Sequence, residues 1–183
     1  MQLITITILL EELVGELYDA EHRLISALPQ VIERVCHPAL KEAITRHYRQ
    51  SSQEIERLER VGRELHCSID GVHCGAVEGF VERLEEFFRA AGVPAVRDAA
   101  LLAVLQQIQR YEISTYQSAA DLAQLLGLHE IHRQLLDTLR EEENQASTLN
   151  DIAVRFIYPD ALQVAGESWG GDMNLLERVS YRR

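Results

Sequence analysis

Proline is scarce, with 4 in 183 residues, and aromatic side chains make up only 6% of the chain. So few turn-formers and β-favouring rings leave little material for a sandwich or barrel. Cysteine is scarcer still. An odd count of 3 makes no secreted disulfide framework, so a reduced, cytoplasmic setting is expected. The 18 Lys and Arg are outnumbered by 29 Asp and Glu, and the net charge of -11 argues against sequence-independent binding to nucleic acid or an anionic membrane. The basic end from Arg178 to Arg183 is too short to reverse that balance. No apolar run approaches the roughly 20 residues of a membrane span. Met1 to Leu10 is apolar but is interrupted at once by Glu11 and Glu12, and it reads as an arm leading into a helix. A Gly-rich phosphate loop, a nucleophile elbow and a His-Glu-x-x-His pair are also missing, which removes three common enzyme templates.

What the chain does have is helical periodicity. A first helix is expected from after Thr7 to about Val35, with Leu10, Leu13, Leu17, Leu24 and Leu28 on one face and Pro29 as a candidate kink. Cys36-His37-Pro38 makes a short turn, and Pro38 suits an early helical position. The second helix directs Leu40, Ile44, His47, Ser51, Ile55, Leu58 and Leu65 inward. After a connection from His66 to Gly75, a shorter helix covers about Ala76 to Ala91, and Gly92-Val93-Pro94 ends it. The third long helix, about Ala95 to Leu126, carries Leu102, Leu105, Gln109, Glu112, Tyr116 and Leu122 near one stripe, and Gly127 stops it. The fourth, about His129 to Phe156, presents Leu135, Leu139, Glu143, Ala146, Leu149 and Ala153.

These elements predict an all-α fold: two antiparallel helix hairpins joined by a long crossover with a short extra helix, which is the ferritin-like four-helix bundle. The bundle is expected over residues 1–157. An irregular C-terminal tail follows over 158–183, where Pro159, Gly166 and Trp169-Gly170-Gly171 break the pattern. Trp169 could anchor that tail on the bundle or on a protein partner.

Three acids, Glu21, Glu112 and Glu143, stand mid-helix on apolar faces, where a carboxylate is costly unless paired, protonated or bound to metal. Glu21 lies fifteen positions before Cys36, and Glu112 fifteen before Gly127. Glu143 lies fifteen after Leu128, and Glu54 sixteen after Pro38. At about 1.5 Å per residue, all four stand roughly 22 to 24 Å from their hairpin turns, so the hairpins read as pseudo-repeats meeting at one carboxylate layer. Such acids can also line solvent or form buried ion pairs.

Several segments together resemble the YciE/YciF-like branch of ferritin-like proteins between about Leu13 and Ala153. They are Leu17-Tyr18-Asp19-Ala20-Glu21, Ile55-Glu56-Arg57-Leu58-Glu59, Cys74-Gly75-Ala76-Val77-Glu78-Gly79, Val96-Arg97-Asp98-Ala99-Ala100-Leu101, Tyr111-Glu112-Ile113 with Tyr116, and Thr138-Leu139 with Glu141-Glu142-Glu143. The resemblance implies a compact helical homodimer, dinuclear metal in some members, and an association with bacterial stress. Relative to that family's pattern, His47-Tyr48-Arg49-Gln50-Ser51 has lost an acidic pair. Gln109 replaces a core carboxylate, an acid is missing at Ser147, and Glu54 stands where Gln is usual.

The candidate metal ligands are therefore Glu21, His47, Glu54, Glu112 and Glu143, a hard-donor set suited to iron or manganese. A dinuclear carboxylate site usually includes Glu-x-x-His pairs. None occurs at this height. His47 and Glu54 lie seven residues and about 10.5 Å apart along the axis, too far to grip one ion together. Gln50 could finish one edge of a site with His47, and Tyr116 could hydrogen-bond to it or simply fill the core. Alternatively, Gln50 and Gln109 could close a metal-free core by hydrogen bonds. Two functions follow. One is a stress-associated bundle with a partly degenerate metal site, working as a non-catalytic dimer. The other is a di-iron or manganese oxidoreductase or metal-handling protein reacting with oxygen or peroxide. A second constellation, His66-Cys67 and His73-Cys74, mixes nitrogen and sulfur donors, but its spacing matches no common zinc finger or ribbon, and ordinary loop residues are expected.

Overall fold

The computed structural model describes residues 5–164. The first helix, α1 (Ile6–Arg34), begins at Thr5, whose hydroxyl accepts the Ile8 N–H at 3.2 Å. Its buried face runs through Leu10, Val14, Leu17, Glu21, Leu24, Leu28 and Val31, and the helix continues through Pro29. In the following turn, the backbone N–H groups of Cys36 and His37 donate to the buried Asp98 carboxylate, His37 at 2.7 Å. Pro38 then opens α2 (Pro38–Leu65), which ends on His66 in the left-handed region at φ 56°.

The crossover turns at Gly71, φ 88°, and forms α3 (Gly75–Arg89), which packs against α1 and α4 (Pro94–Leu125). Gly127, φ 72°, turns the chain into α5 (His129–Ile152). The pairs α1/α2 and α4/α5 form the two hairpins, and α1 packs on α4 as α2 packs on α5. Because Asp98, early in α4, reaches the end of α1, these two helices run antiparallel. The helices α2 and α4 are then parallel, as the long crossover requires. The ferritin-like reading holds.

The fourth arm does not stop where the tail is expected to begin. A π-helical turn, Ala153–Ile157, carries it into α6 (Tyr158–Val164), which packs on α4. Pro159 comes just after this π-helical turn, and the helical conformation continues past it. Residues 165–183, with Trp169, Gly170-Gly171 and the basic end, lie outside the described residues.

The interior is divided. One apolar cluster joins Leu24, Leu28, Leu101, Leu102, Leu105 and Leu149, and the other joins Leu10, Leu17, Leu58, Tyr116, Ile131 and Leu135. Between them each long helix contributes polar side chains: Glu21, then His47, Ser51 and Glu54, then Gln109 and Glu112, then Thr138 and Glu142. All are buried.

Candidate metal centre

Each acid of this layer is held inside by apolar residues a turn or two away on its own helix. Glu21 sits between Leu17 and Leu24, Glu54 precedes Leu58, and Glu112 lies between Ile108 and Tyr116. A helix that buries leucines on both sides of an acid must bury the acid as well. Glu21, Glu54, Glu112 and Glu142 are all 0% exposed.

One ligand assignment needs correction. Glu143 is exposed on the outer face of α5, and Glu142 occupies the inward position. Counting four residues from Leu139 leads to Glu143, but the core repeat on this helix is seven, through Leu135, Glu142 and Leu149. That spacing was available in the sequence and identifies Glu142.

The acids and one histidine form two groups that share a member. Ligand atoms of Glu21, Glu54 and Glu142 all lie within 4.8 Å of one another, as do those of His47, Glu112 and Glu142. His47 and Glu54 thus belong to different groups, with Glu142 common to both. The four carboxylates, once ionised, carry the charge that two divalent cations neutralise.

Burial governs the ionisation of the layer. Removal from water, reinforced by the charge of Glu142, pushes Glu54 up to about 10. Burial and the charge of Glu21 push Glu142 up to about 8. Glu21 and Glu112 are raised well above the ordinary carboxylate range, mainly by burial and then by the repulsion of Glu54 and Glu21 respectively. Burial pulls His47 down to about 4, so its imidazole is neutral and free to ligate near pH 7. Without a cation this layer must hold protons; with one, the protons leave.

The surrounding groups fix the acids in place. The Tyr116 hydroxyl donates to Glu21 Oε1 at 3.2 Å. Gln109 Nε2 donates to Glu142 Oε2 at 2.6 Å and to Glu112 Oε2 at 3.4 Å. Arg57, missed in the sequence, clamps Glu141 through both terminal nitrogens, at 2.9 and 3.2 Å, and also donates to Thr138. Its charge favours the ionised forms of Glu21 and Glu54.

These bonds leave much unsatisfied. Glu21 Oε2, both oxygens of Glu54, Glu112 Oε1, Glu142 Oε1 and His47 Nε2 are buried with no hydrogen-bond partner. A protonated Glu54 can donate to Glu142, but the remaining acceptors of the layer stay without a donor, a costly arrangement for a metal-free core and a natural one for a cation site. The residues present therefore fit a metal, and the dominance of carboxylate oxygen with a single imidazole suits iron or manganese. Ser147, where the family resemblance leads one to expect an acid, is exposed, so its substitution removes nothing from the buried layer.

The second constellation is not brought together. Cys74 is buried with its Sγ 3.2 Å from the Tyr111 hydroxyl, and His73 Nε2 lies 3.1 Å from Glu78. Among the described residues no metal-capable group forms from His66, Cys67, His73 and Cys74.

Residues 5–161 match the family DUF892, a domain of unknown function. The chain belongs to that family. It is 32% identical over 155 residues to YciF of Escherichia coli, covering 84% of this chain and 93% of the relative. The crystal structure of that E. coli stress protein superposes with a TM-score of 0.79, covering 82% of this chain and 96% of the other. YcfI of Rhodopseudomonas palustris, described as a candidate structural protein, gives 0.78 at 32% identity, covering 81% and 95%. A protein of Xanthomonas campestris at 19% identity and a TM-score of 0.66, covering 96% and 99%, shares the fold. Membership of the DUF892 family thus agrees with the YciE/YciF-like resemblance. Among the described residues no helix is long and apolar enough to cross a membrane.

Proposed function

We propose that this DUF892 protein is a metal-handling, ferritin-like stress protein whose buried layer takes up to two divalent iron or manganese ions. The observation that carries this reading is the set of orphaned acceptors shared between two ligand groups. Glu21 and Glu54 would hold one position, His47 and Glu112 the other, and Glu142 both. Bound in the reduced state, such ions would supply the electrons for reduction of dioxygen or peroxide.

The chain's own contribution is positioning and exclusion of water. Tyr116 orients Glu21, Gln109 orients Glu142 and Glu112, and the two leucine-rich clusters seal the layer from either end. The stress association follows the name of the E. coli relative. Family resemblance also supports a homodimer and the low cysteine count a cytoplasmic setting, with the C-terminal tail a candidate segment for a protein partner.

A second reading has its own observation. Because Gln109 donates to two of the acids, it could close a metal-free core, leaving a non-catalytic helical scaffold. That amide satisfies two oxygens of the layer and leaves the orphans above, which is why the metal reading is preferred. Elemental analysis of protein purified without chelator and then loaded anaerobically with ferrous or manganous ion distinguishes the two. The expected result is one to two equivalents, with one position lost in Glu112→Ala and both lost in Glu142→Gln. Failure of the wild-type protein to retain metal after loading would overturn the proposal.

A further inference from the structure

The layer is sealed along the bundle axis but not from the side. A cavity of about 140 Å³ opens between α2 and α5, with exposed Arg46 and Asn144 at its rim and buried His47 and Leu105 in its lining. It has room for several waters but is smaller than the roughly 300 Å³ of even a small cofactor or drug site.

Three residues of its wall carry buried polar atoms with no hydrogen-bond partner: His47 Nε2, Gln50 Oε1 and Gln145 Nε2. Two are acceptors and one is a donor. The rest of the wall includes Ile44 and Leu149, and Glu141 on its edge is already clamped by Arg57. A small ion entering there would exchange its hydration for aliphatic groups and amides, which is unfavourable. A small neutral molecule that both donates and accepts would satisfy Gln50 Oε1 and Gln145 Nε2, and His47 Nε2 too while the layer holds no metal.

We infer that this cavity is the port through which small uncharged hydrogen-bonding molecules, the size of water or hydrogen peroxide, reach the His47 edge of the layer. The inference rests on the metal reading for its purpose, but not for its geometry. It gives the two ends of the site different roles: the position held by His47 and Glu112 meets the incoming molecule, and the position held by Glu21 and Glu54 stays closed.

The test uses the metal-free full chain. Leu105→Cys places a thiol on the cavity wall, whereas Leu102→Cys places one at a fully buried position outside it. Each is treated with neutral methyl methanethiosulfonate and with its anionic sulfonatoethyl analogue, and labelling is followed by mass spectrometry at the substituted position. The neutral reagent should label Leu105→Cys at least tenfold faster than Leu102→Cys, and at least tenfold faster than the anionic reagent does. Plugging the cavity from either wall, by Ala43→Phe on α2 or Thr148→Phe on α5, should bring the rate down to that of Leu102→Cys. Equal labelling of the two thiols, equal rates for the two reagents, or plugs without effect would each overturn the inference. Metal content is measured separately, so failure of metal loading with labelling intact would end the metal reading and leave the port.

Discussion

Replacing Glu142 by Gln should stabilise the metal-free protein at alkaline pH while abolishing its response to metal. The folded-state carboxyl sits at about 8 against an ordinary 4.5, so the native layer holds a proton that the unfolded chain releases. The stability carried by that proton is complete below pH 4.5 and is lost as pH rises through 8. At about 1.4 kcal/mol per pH unit, the loss accumulated by pH 8 is on the order of 4 kcal/mol. The substituted amide has no proton to lose, but it leaves a bond unmade near Gln109 at about 1 to 3 kcal/mol. A net gain of about 2 kcal/mol corresponds to a melting temperature roughly 4 to 8 °C higher for a chain of this size. His47 opposes this trend only below pH 6.5, because its folded-state value of about 4 loses stability as pH falls through that range. Melting curves at pH 6.5 and 8 therefore isolate the acids. With manganous ion at a hundredfold excess over Kd, the wild-type protein should gain about 2.7 kcal/mol and the variant almost nothing. The order of stability inverts between the two conditions. A variant less stable than wild type at pH 8 without metal, or an equal response of both proteins to metal, would refute the reasoning.

Three further substitutions probe the surroundings. Glu143→Gln, on the exposed face of α5, should leave metal stoichiometry intact and change stability by less than about 0.5 kcal/mol; loss of metal in an elemental assay would contradict the assignment of Glu142. Gly15→Ala should cost about 1 to 3 kcal/mol in urea melts, because the added Cβ would stand 2.4 Å from Val72 Cγ2 and 2.8 Å from Val72 Cβ. An unchanged midpoint would show that the crossover does not press on α1 there. Asp98→Ala should lose about 1 to 3 kcal/mol by freeing the buried-side N–H groups of Cys36 and His37, measured by the same melts, and a neutral result would mean that water replaces the carboxylate without penalty.

The hairpin layout was legible because its punctuation is chemical. Pro38 and Pro94 suit the first turn of a helix, Gly127 supplies the positive φ of a tight turn, and leucines repeat on one face between them. Glu21 and Glu112 were legible for the same reason, since buried apolar residues on both sides leave them no outward option, and Glu54 was legible from its height above Pro38. Pro159 misled because a breaker reads as an end, whereas here the chain passes through a π-helical turn and the helical conformation continues beyond the proline.

The run Glu141-Glu142-Glu143 shows where a sequence reading becomes ambiguous and what resolves it. Successive residues rotate by about 100° around a helix, so three adjacent acids sweep more than half its circumference and only one can face the core squarely. A step of three or four from a single leucine cannot choose among them, but the seven-residue repeat through Leu135 and Leu149 chooses Glu142. The missing Glu-x-x-His pair is limited as an objection for a related reason. It counts ligands along one helix and assumes that neighbours on that helix must serve the same ion. Here His47 and Glu54 each meet partners from other helices, and Glu142 joins the two groups. The distance along α2 that argues against a shared ion agrees with their membership of different groups.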